Sequence, residues 1–325
     1  MQLKSRMGRV GVGLAVATLA ILAAPAAAQY PNKPVRVVVQ FPAGGAADTI
    51  TRVIAQPLAQ ALGQPVVVEN RPGADGAIAA DVVMKSPPDG YTLFMATSSA
   101  MSAVPAMRKV PPYDPVSAFT PITKVGTFSY FLFTHPSVPA KNVIELIDYI
   151  RANPGKLNYA GATTTGIMAA VQLASFAKLE VERIPYKGEG AATIDLVSGR
   201  VQFMFATPTN ALGPAKEGRL RVLATLLPQR SAMAPDAPTM AEANAPKLSI
   251  VPWAGFFGPA KLPPDIVARL NRELTGILKR PEVREQIERQ AFDVQSSTPE
   301  ELAAYTKEQA EVWRTAVRDS GMALE

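Results

Sequence analysis

The sequence of 325 residues contains no cysteine. That excludes disulfides, thiolate metal sites, a thiol nucleophile and the lipid-attachment cysteine of lipoproteins. It holds a single histidine, His135, in the loop-like context Thr134-His135-Pro136 and read as a surface residue. One histidine and no cysteine leave a zinc centre without ligands, and neither a metal nor any other cofactor is expected. There is no Gly-x-Ser-x-Gly elbow and no Walker phosphate loop. Gly188-Glu189-Gly190 lacks the third glycine and the spaced acid of a dinucleotide fingerprint. No catalytic residue stands out, so the chain is not expected to be an enzyme; an enzyme working through carboxylates alone is the one kind these absences leave open. Basic runs are also missing. Of the formal charge of +6, three units come from Lys4, Arg6 and Arg9, which leaves +3 for the remainder and argues against nucleic acid as a partner.

What is present describes a globular protein with a sizeable core: 48% hydrophobic and 18% charged residues, a balance unlike that of disordered chains. The length suggests roughly two domains at about 100–200 residues each. Residues 1–28 have the layout of a cleaved secretory signal: a basic start, an uncharged apolar run from Val10 to Ala24, and small residues at Ala26-Ala27-Ala28. The run is shorter than the roughly 20 residues of a membrane span, and no later segment is apolar enough to cross. The mature chain is therefore expected to be soluble in an extracytoplasmic compartment, the periplasm.

The organising stretch is Val35 to Asp48. A β-branched strand runs into Phe41-Pro42-Ala43-Gly44-Gly45, and the spacing of Ile50, Val53, Ile54, Leu58, Ala61 and Leu62 then predicts a helix stopped by Gly63. A strand, a glycine turn and a helix N-terminus form an anion grip, because the turn amides are free and the helix end carries partial positive charge. Pro57 predicts a kink or break near Gln56. Strands at Val66–Asn70 and Tyr91–Ala96, with a helix over Ala77–Lys85 between them, complete β-α-β-α-β, hence parallel strands, and Thr97-Ser98-Ser99 stands at the end of the third. The aromatic strand Phe128–Thr134 is placed to cross into a second domain. There the pattern recurs: a strand at Leu157–Ala160, a small polar turn Gly161-Ala162-Thr163-Thr164-Thr165-Gly166, and a helix from Ile167. Strands at Val181–Ile184, Val201–Ala206 and Arg221–Thr225 follow, with Thr207 closing the second of these. The chain returns near Trp253, and Thr298-Pro299-Glu300-Glu301 opens the last helix as a capping box. The fold class is α/β, two doubly wound lobes with a ligand cleft between them, since ligands of open α/β sheets bind at the carboxyl ends of strands.

These residues resemble the Bug/TctC family, the extracytoplasmic solute receptors of tripartite tricarboxylate transporters. The motifs that carry the resemblance are Phe41-Pro42-Ala43-Gly44-Gly45 with Asp48, Val66–Asn70 with Arg71-Pro72-Gly73-Ala74, and Pro88-Asp89-Gly90-Tyr91-Thr92-Leu93. Further along stand Pro112-Tyr113-Asp114-Pro115, Ile184-Pro185-Tyr186-Lys187-Gly188, and Trp253 with Gly255. They span the whole mature chain. The resemblance implies a periplasmic binding protein type II-like, Venus-flytrap fold, with lobe 1 at 29–127 plus 253–325 and lobe 2 at 128–252. It implies a monomer that captures a small organic anion by backbone amides and waters and passes it to integral membrane transporter subunits. The implied ligand-binding residues are Phe41, Pro42, Ala43, Gly44, Gly45 and Asp48 in lobe 1, Ala162, Thr163, Thr164, Thr165 and Gly166 in lobe 2, and Thr97, Ser98, Ala206 and Thr207 as further lining. The chain departs from the family at Thr163–Thr165, where relatives carry a glycine-serine-type turn. It departs again at Asp75 and Ala77, where glycine and asparagine are usual, and at Ala206, where many relatives have aspartate. Losing that acid removes a holder for a ligand amine and points to a dicarboxylate or aromatic carboxylate.

Three or four amides at about 1.5–3 kcal/mol each supply the bulk of micromolar binding, near −8 kcal/mol, without an arginine. Rival readings are the same receptor serving a membrane sensor kinase, an exported α/β enzyme acting on a small acid, and a purely structural secreted domain that leaves the polar turns unexplained.

Overall fold

The computed structural model describes residues 30–245, 248, 250–321 and 324. The expected signal at residues 1–28 lies outside them. Strands β1 (Val35–Val39), β2 (Val66–Asn70), β3 (Thr92–Thr97), β4 (Phe119–Phe128), β10 (Trp253–Pro259) and β11 (Phe292–Val294) form one sheet in the order β11-β4-β10-β3-β1-β2. β1 runs parallel to β2 and β3, whereas β10 lies antiparallel between β3 and β4. Strands β5 (Phe131–Thr134), β6 (Asn158–Gly161), β7 (Glu182–Pro185), β8 (Phe203–Ala206) and β9 (Arg221–Thr225) form a second sheet in the order β7-β6-β8-β5-β9. β6 is parallel to β7 and β8, and β5 is antiparallel to β8 and β9.

Each sheet is covered on both faces, which makes two lobes. In lobe 1, α1 (Ala46–Leu62) and α8 (Pro264–Leu278) bury Ile50, Ile54, Leu58, Leu270 and Leu274 against Val37, Leu93 and Phe256. On the other face, α2 (Ala77–Met84) packs with Phe94, Phe119, Trp253 and Phe257. In lobe 2, α4 (Val143–Ala152) and α5 (Thr164–Ala177) cover Tyr159, Phe203 and Phe205, while α6 (Glu189–Val197) and α7 (Pro208–Lys216) lie over Phe131, Phe133 and Met204. The last helix, α10 (Pro299–Ser320), opens on the expected Thr298/Glu301 capping box. It joins the lobes: Trp313, Ala316 and Val317 pack with Ala103 and Met107 of lobe 1 and Met168 of lobe 2. Among the described residues no helix is long and apolar enough to cross a membrane.

Several local expectations change. α1 runs unbroken through Pro57. Proline removes one helical bond, but Ile54 and Leu58 on either side are fully buried in the core and hold the helix to its path. The segment Phe128–Thr134 is not one strand. Phe128 pairs with Phe292 in the first sheet and Phe131 with Ala206 in the second. Between them the Ser129 amide leaves the ladder to donate to Ala291 O at 2.6 Å. β4 itself is not legible, because Pro121, Lys124 and Gly126 interrupt its apolar pattern. Pro121 is tolerated where the register with β10 shifts between Phe256 and Phe257.

Candidate functional site

Lobe 1 brings three chain ends together at the carboxyl edge of its parallel strands. Gln40, buried just after β1, accepts a hydrogen bond from the Thr97 amide (3.0 Å) and donates to Asp75 O (3.3 Å). This ties the end of β1 to the end of β3 and to the Gly73–Gly76 turn. The chain then enters the exposed turn Pro42-Ala43-Gly44-Gly45. Gly44 has φ +82°, a left-handed conformation that suits glycine. Gly45 is the N-cap of α1 and supplies no side-chain cap.

Asp48 belongs to the bracing of this turn. It is 2% exposed. Its Oδ2 accepts the Gly44 amide at 2.9 Å, Arg52 Nε reaches both carboxylate oxygens at 3.0 and 3.1 Å, and Asn70 Nδ2 donates to Oδ1 at 2.9 Å while also donating to Phe41 O. Burial pushes the Asp48 pKa up, but the bonds from Arg52, Gly44 and Asn70 outweigh burial and hold it below the ordinary carboxylate value. The structure therefore places Asp48 behind the grip, with the Gly44 N–H already donated to it. The amides of Ala46 and Ala47, in the first turn of α1, have no helical carbonyl four residues back; Thr49 N is the first to bond, to Gly45 O at 2.9 Å.

Lobe 2 repeats the device with a hydroxyl cap. Thr163 is the N-cap of α5 and its Oγ1 accepts from Gly166 N at 3.2 Å. α5 thus begins three residues before the expected Ile167, and Thr164, Thr165 and Gly166 are buried in its first turn. Space there is tight: a Cβ on Gly166 would stand 2.5 Å from Phe205 O and 3.2 Å from both Thr163 Oγ1 and the Tyr130 hydroxyl. The Tyr130 hydroxyl contacts Thr163 Oγ1 and donates to Glu189 Oε1 at 2.9 Å. Glu189, the first residue of α6, also accepts the Thr207 amide at 3.2 Å and the Thr207 hydroxyl. Burial raises the Glu189 pKa, opposed by the Thr207 and Tyr130 bonds. Burial and the neighbouring Glu189 charge raise that of Tyr130.

The two half-sites meet. Ser99, opening a π-helical turn (Ser99–Ala103) after β3, places its Oγ 2.8 Å from Thr164 Oγ1. This bond joins the strand ends of lobe 1 to the α5 N-terminus of lobe 2. Thr97 and Ser98 are buried beside it. The Ala206 side chain instead faces the core of lobe 2, with Phe131 and Met204. A carboxylate does reach the next residue, Thr207, from another element, since Glu189 accepts its amide and hydroxyl. Sequence reading placed Ser99 at the end of β3 without counting it as a site residue, and it missed Gln40, Tyr130 and Glu189. The only signal for Glu189 was its place beside the glycines of Gly188-Glu189-Gly190, and nothing in the sequence linked it to Thr207. Among the described residues no three His, Cys, Asp or Glu side chains cluster as metal ligands.

Known proteins resemble this chain in sequence and fold. Residues 50–322 match the sequence model of the family described as "Tripartite tricarboxylate transporter family receptor". The chain is 35% identical to protein BugT of Bordetella pertussis over 96% of its own length and 97% of BugT. Its structure resembles an R. palustris protein solved with adipate (TM-score 0.82, 28% identity, 90% and 99% of the two chains). It also resembles MatC of Rhodopseudomonas palustris with bound malate (TM-score 0.78, 31% identity, 89% and 100%).

Proposed function

We propose, because this chain belongs to the tripartite tricarboxylate transporter receptor family, that it captures a small organic carboxylate between its lobes and delivers it to a tripartite tricarboxylate-type membrane transporter. The chain is a solute-binding receptor and not an enzyme. The observation that supports the site assignment is the Ser99–Thr164 contact, which joins the end of β3 in lobe 1 to the helix end of α5 in lobe 2. Lobe 1 comprises residues 29–128 and 253–325, and lobe 2 residues 129–252; Phe128 is counted with lobe 1 because it pairs with β11.

The acid is held chiefly by main-chain amides: Ala46 and Ala47 beside the Pro42–Gly45 turn, and Thr164 and Thr165 across the cleft. Phe41, Ala43, Ala162 and Thr163 shape the two turns, Thr97 and Ser98 line the floor, and Asp48, Gly166 and Thr207 position the loops. Four such bonds at about 1.5–3 kcal/mol reach the roughly −8 kcal/mol of a micromolar complex, and the helix ends add about 0.3–1 kcal/mol each. Lobe closure excludes water and strengthens every one of them. The receptor works as a periplasmic monomer after loss of residues 1–28, and its partners are the transporter's integral membrane subunits. Adipate and malate, the acids named with the two relatives, make dicarboxylates the first class to test.

Native mass spectrometry of freshly purified protein, followed by a thermal-shift panel of carboxylates, tests this reading. A true ligand at 100 times its Kd stabilises the folded chain by about 2.7 kcal/mol. A panel in which no carboxylate shifts the transition while a sugar or a cation does would overturn it.

A further inference from the structure

We propose that Glu189 is a proton-carrying specificity residue of the lobe 2 grip. Through Tyr130 its protonation sets whether the Thr163 hydroxyl is used up inside the protein or donates into the cleft, so that a carboxylate is captured together with one proton. The inference rests on the carboxylate reading of the cleft and adds to it the state of the acid that the cleft accepts.

The geometry is a directed chain of hydroxyls. Gly166 N–H donates to Thr163 Oγ1, Thr163 meets the Tyr130 hydroxyl, and Tyr130 meets Glu189 Oε1. Ionised, Glu189 only accepts. Tyr130 must then give its proton to Glu189 and Thr163 must give its own to Tyr130, while the Thr207 hydroxyl is held by Glu189 Oε2. Every hydroxyl proton of the cluster is turned inward, away from a ligand anion. A proton from solvent on Glu189 Oε1 reverses the chain. Glu189 donates to Tyr130, Tyr130 donates to Thr163, and the Thr163 oxygen, already accepting from Gly166, is left with a proton to give. The acceptor on offer beside the α5 N-terminus is the bound carboxylate. On release the proton returns to solvent from Glu189, and no covalent bond other than O–H changes.

The surroundings favour this exchange. The groups that bond Glu189 are neutral: the Tyr130 hydroxyl and the Thr207 amide and hydroxyl. On the elements packed against α6, β8 carries no titratable side chain. β6 carries Tyr159, stacked on Phe203, and α7 carries Lys216 in its exposed last turn. On its own element Asp195 is tied to Tyr186 and Arg200, and Lys187 just upstream is exposed. Burial already disfavours the Glu189 charge, and a ligand anion in the same cleft disfavours it further.

The test has a ligand-free arm and a probe arm. In the ligand-free protein, pH-difference infrared spectroscopy is expected to show a carboxyl band that titrates above the ordinary glutamate range, is lost in Glu189→Gln, and moves to higher pH in Tyr130→Phe, which lacks the hydroxyl that favours the ionised form. Absence of a Glu189-dependent band, or a band unmoved in Tyr130→Phe, overturns the proposal. With malate and adipate as probes, calorimetry in buffers of different ionisation enthalpy is expected to show wild-type uptake of up to one proton per ligand. Affinity should then fall up to tenfold per pH unit; Glu189→Gln should bind with no uptake and a flat profile. A wild-type pH profile in Glu189→Gln overturns the proposal. Failure of both probes to bind counts against the dicarboxylate reading, and the infrared arm still decides on Glu189.

Discussion

Gly166→Ala is a perturbation whose sign depends on the site being built as described. Gly166 sits in the first turn of α5 with nothing requiring a left-handed backbone, so helix propensity alone favours alanine by about 1 kcal/mol. The packing opposes it. The new Cβ would lie 2.5 Å from Phe205 O, about 0.5 Å inside the 3.0 Å that real Cβ atoms respect. The obstacle is backbone of β8, which cannot swing aside, so the α5 N-terminus must lift from the sheet. Overpacking of this kind costs about 1–3 kcal/mol, and lifting the turn strains the Thr163 cap, worth about 0.5–2 kcal/mol. Against the propensity gain the net destabilisation is about 0.5–4 kcal/mol, at roughly 2–4 °C of Tm per kcal/mol. Gly276→Ala in α8 is the control: nothing lies within 4 Å of its Cβ, so it should gain about 1 kcal/mol. Urea unfolding of both variants, with calorimetry on malate or adipate, reads the two effects together. The expected result is opposite signs in stability and at least tenfold weaker binding for Gly166→Ala only. Equal stabilisation of both variants would show that α5 does not rest on the Phe205 carbonyl and that this site geometry is wrong.

Asp48→Ala takes away the acceptor of the Gly44 amide, the Arg52 guanidinium and one of the two Asn70 bonds, at about 1.5–3 kcal/mol for hydrogen bonds to a charged group. Because the folded pKa of Asp48 lies below its unfolded value, the wild-type advantage over Asp48→Asn is full above about pH 4 and shrinks as pH falls through the folded pKa; an advantage that grows in acid would contradict the brace. Ser99→Ala and Thr164→Ala each remove the bond between lobes and should weaken ligand binding by about 0.5–1.5 kcal/mol, yet a double-mutant cycle should show the two losses overlapping. Full additivity would mean that the hydroxyls do not meet in the bound state. Gly45→Pro should fold, since Gly45 has φ −74°, close to the roughly −65° of proline, and lose affinity because the proline ring crowds the neighbouring Ala46 and Ala47 amides, the Gly45 N–H being already donated to Pro42 O; unchanged affinity by calorimetry would count against a main-chain grip in lobe 1.

The parallel units of both lobes were legible because their signals are local. β-branched runs such as Val35–Val39, followed by glycine and helical spacing, read as strand, turn and helix without reference to the rest of the chain. What was hidden depended on distant partners. β4 carries Pro121, Lys124 and Gly126 and becomes a strand only because β10 and β11 flank it. Pro57 signals a break that buried Ile54 and Leu58 override. The split between Phe128 and Phe131 follows from two sheets competing for one apolar run, which a pattern of alternating residues does not reveal.

The site shows the same division with a sharper consequence. Both turns were legible as backbone features, since small residues at a strand end mark where the chain turns into a helix. Which amides remain for a ligand was not, because that is settled by side chains arriving from elsewhere in the chain: Asp48 takes Gly44, Gln40 takes Thr97, Thr163 takes Gly166, and Glu189 takes Thr207. An account of affinity that counts every amide of the turns therefore overstates the grip, and the ones left over lie in the first turns of α1 and α5. The absence of aspartate at Ala206 misleads for the same reason. Charge near a position depends on the elements that converge on it, and here a carboxylate reaches Thr207, beside Ala206, from the first residue of α6. The ligand must be chosen against Glu189 in whichever protonation state it holds, which makes pH the variable to control when acids are compared.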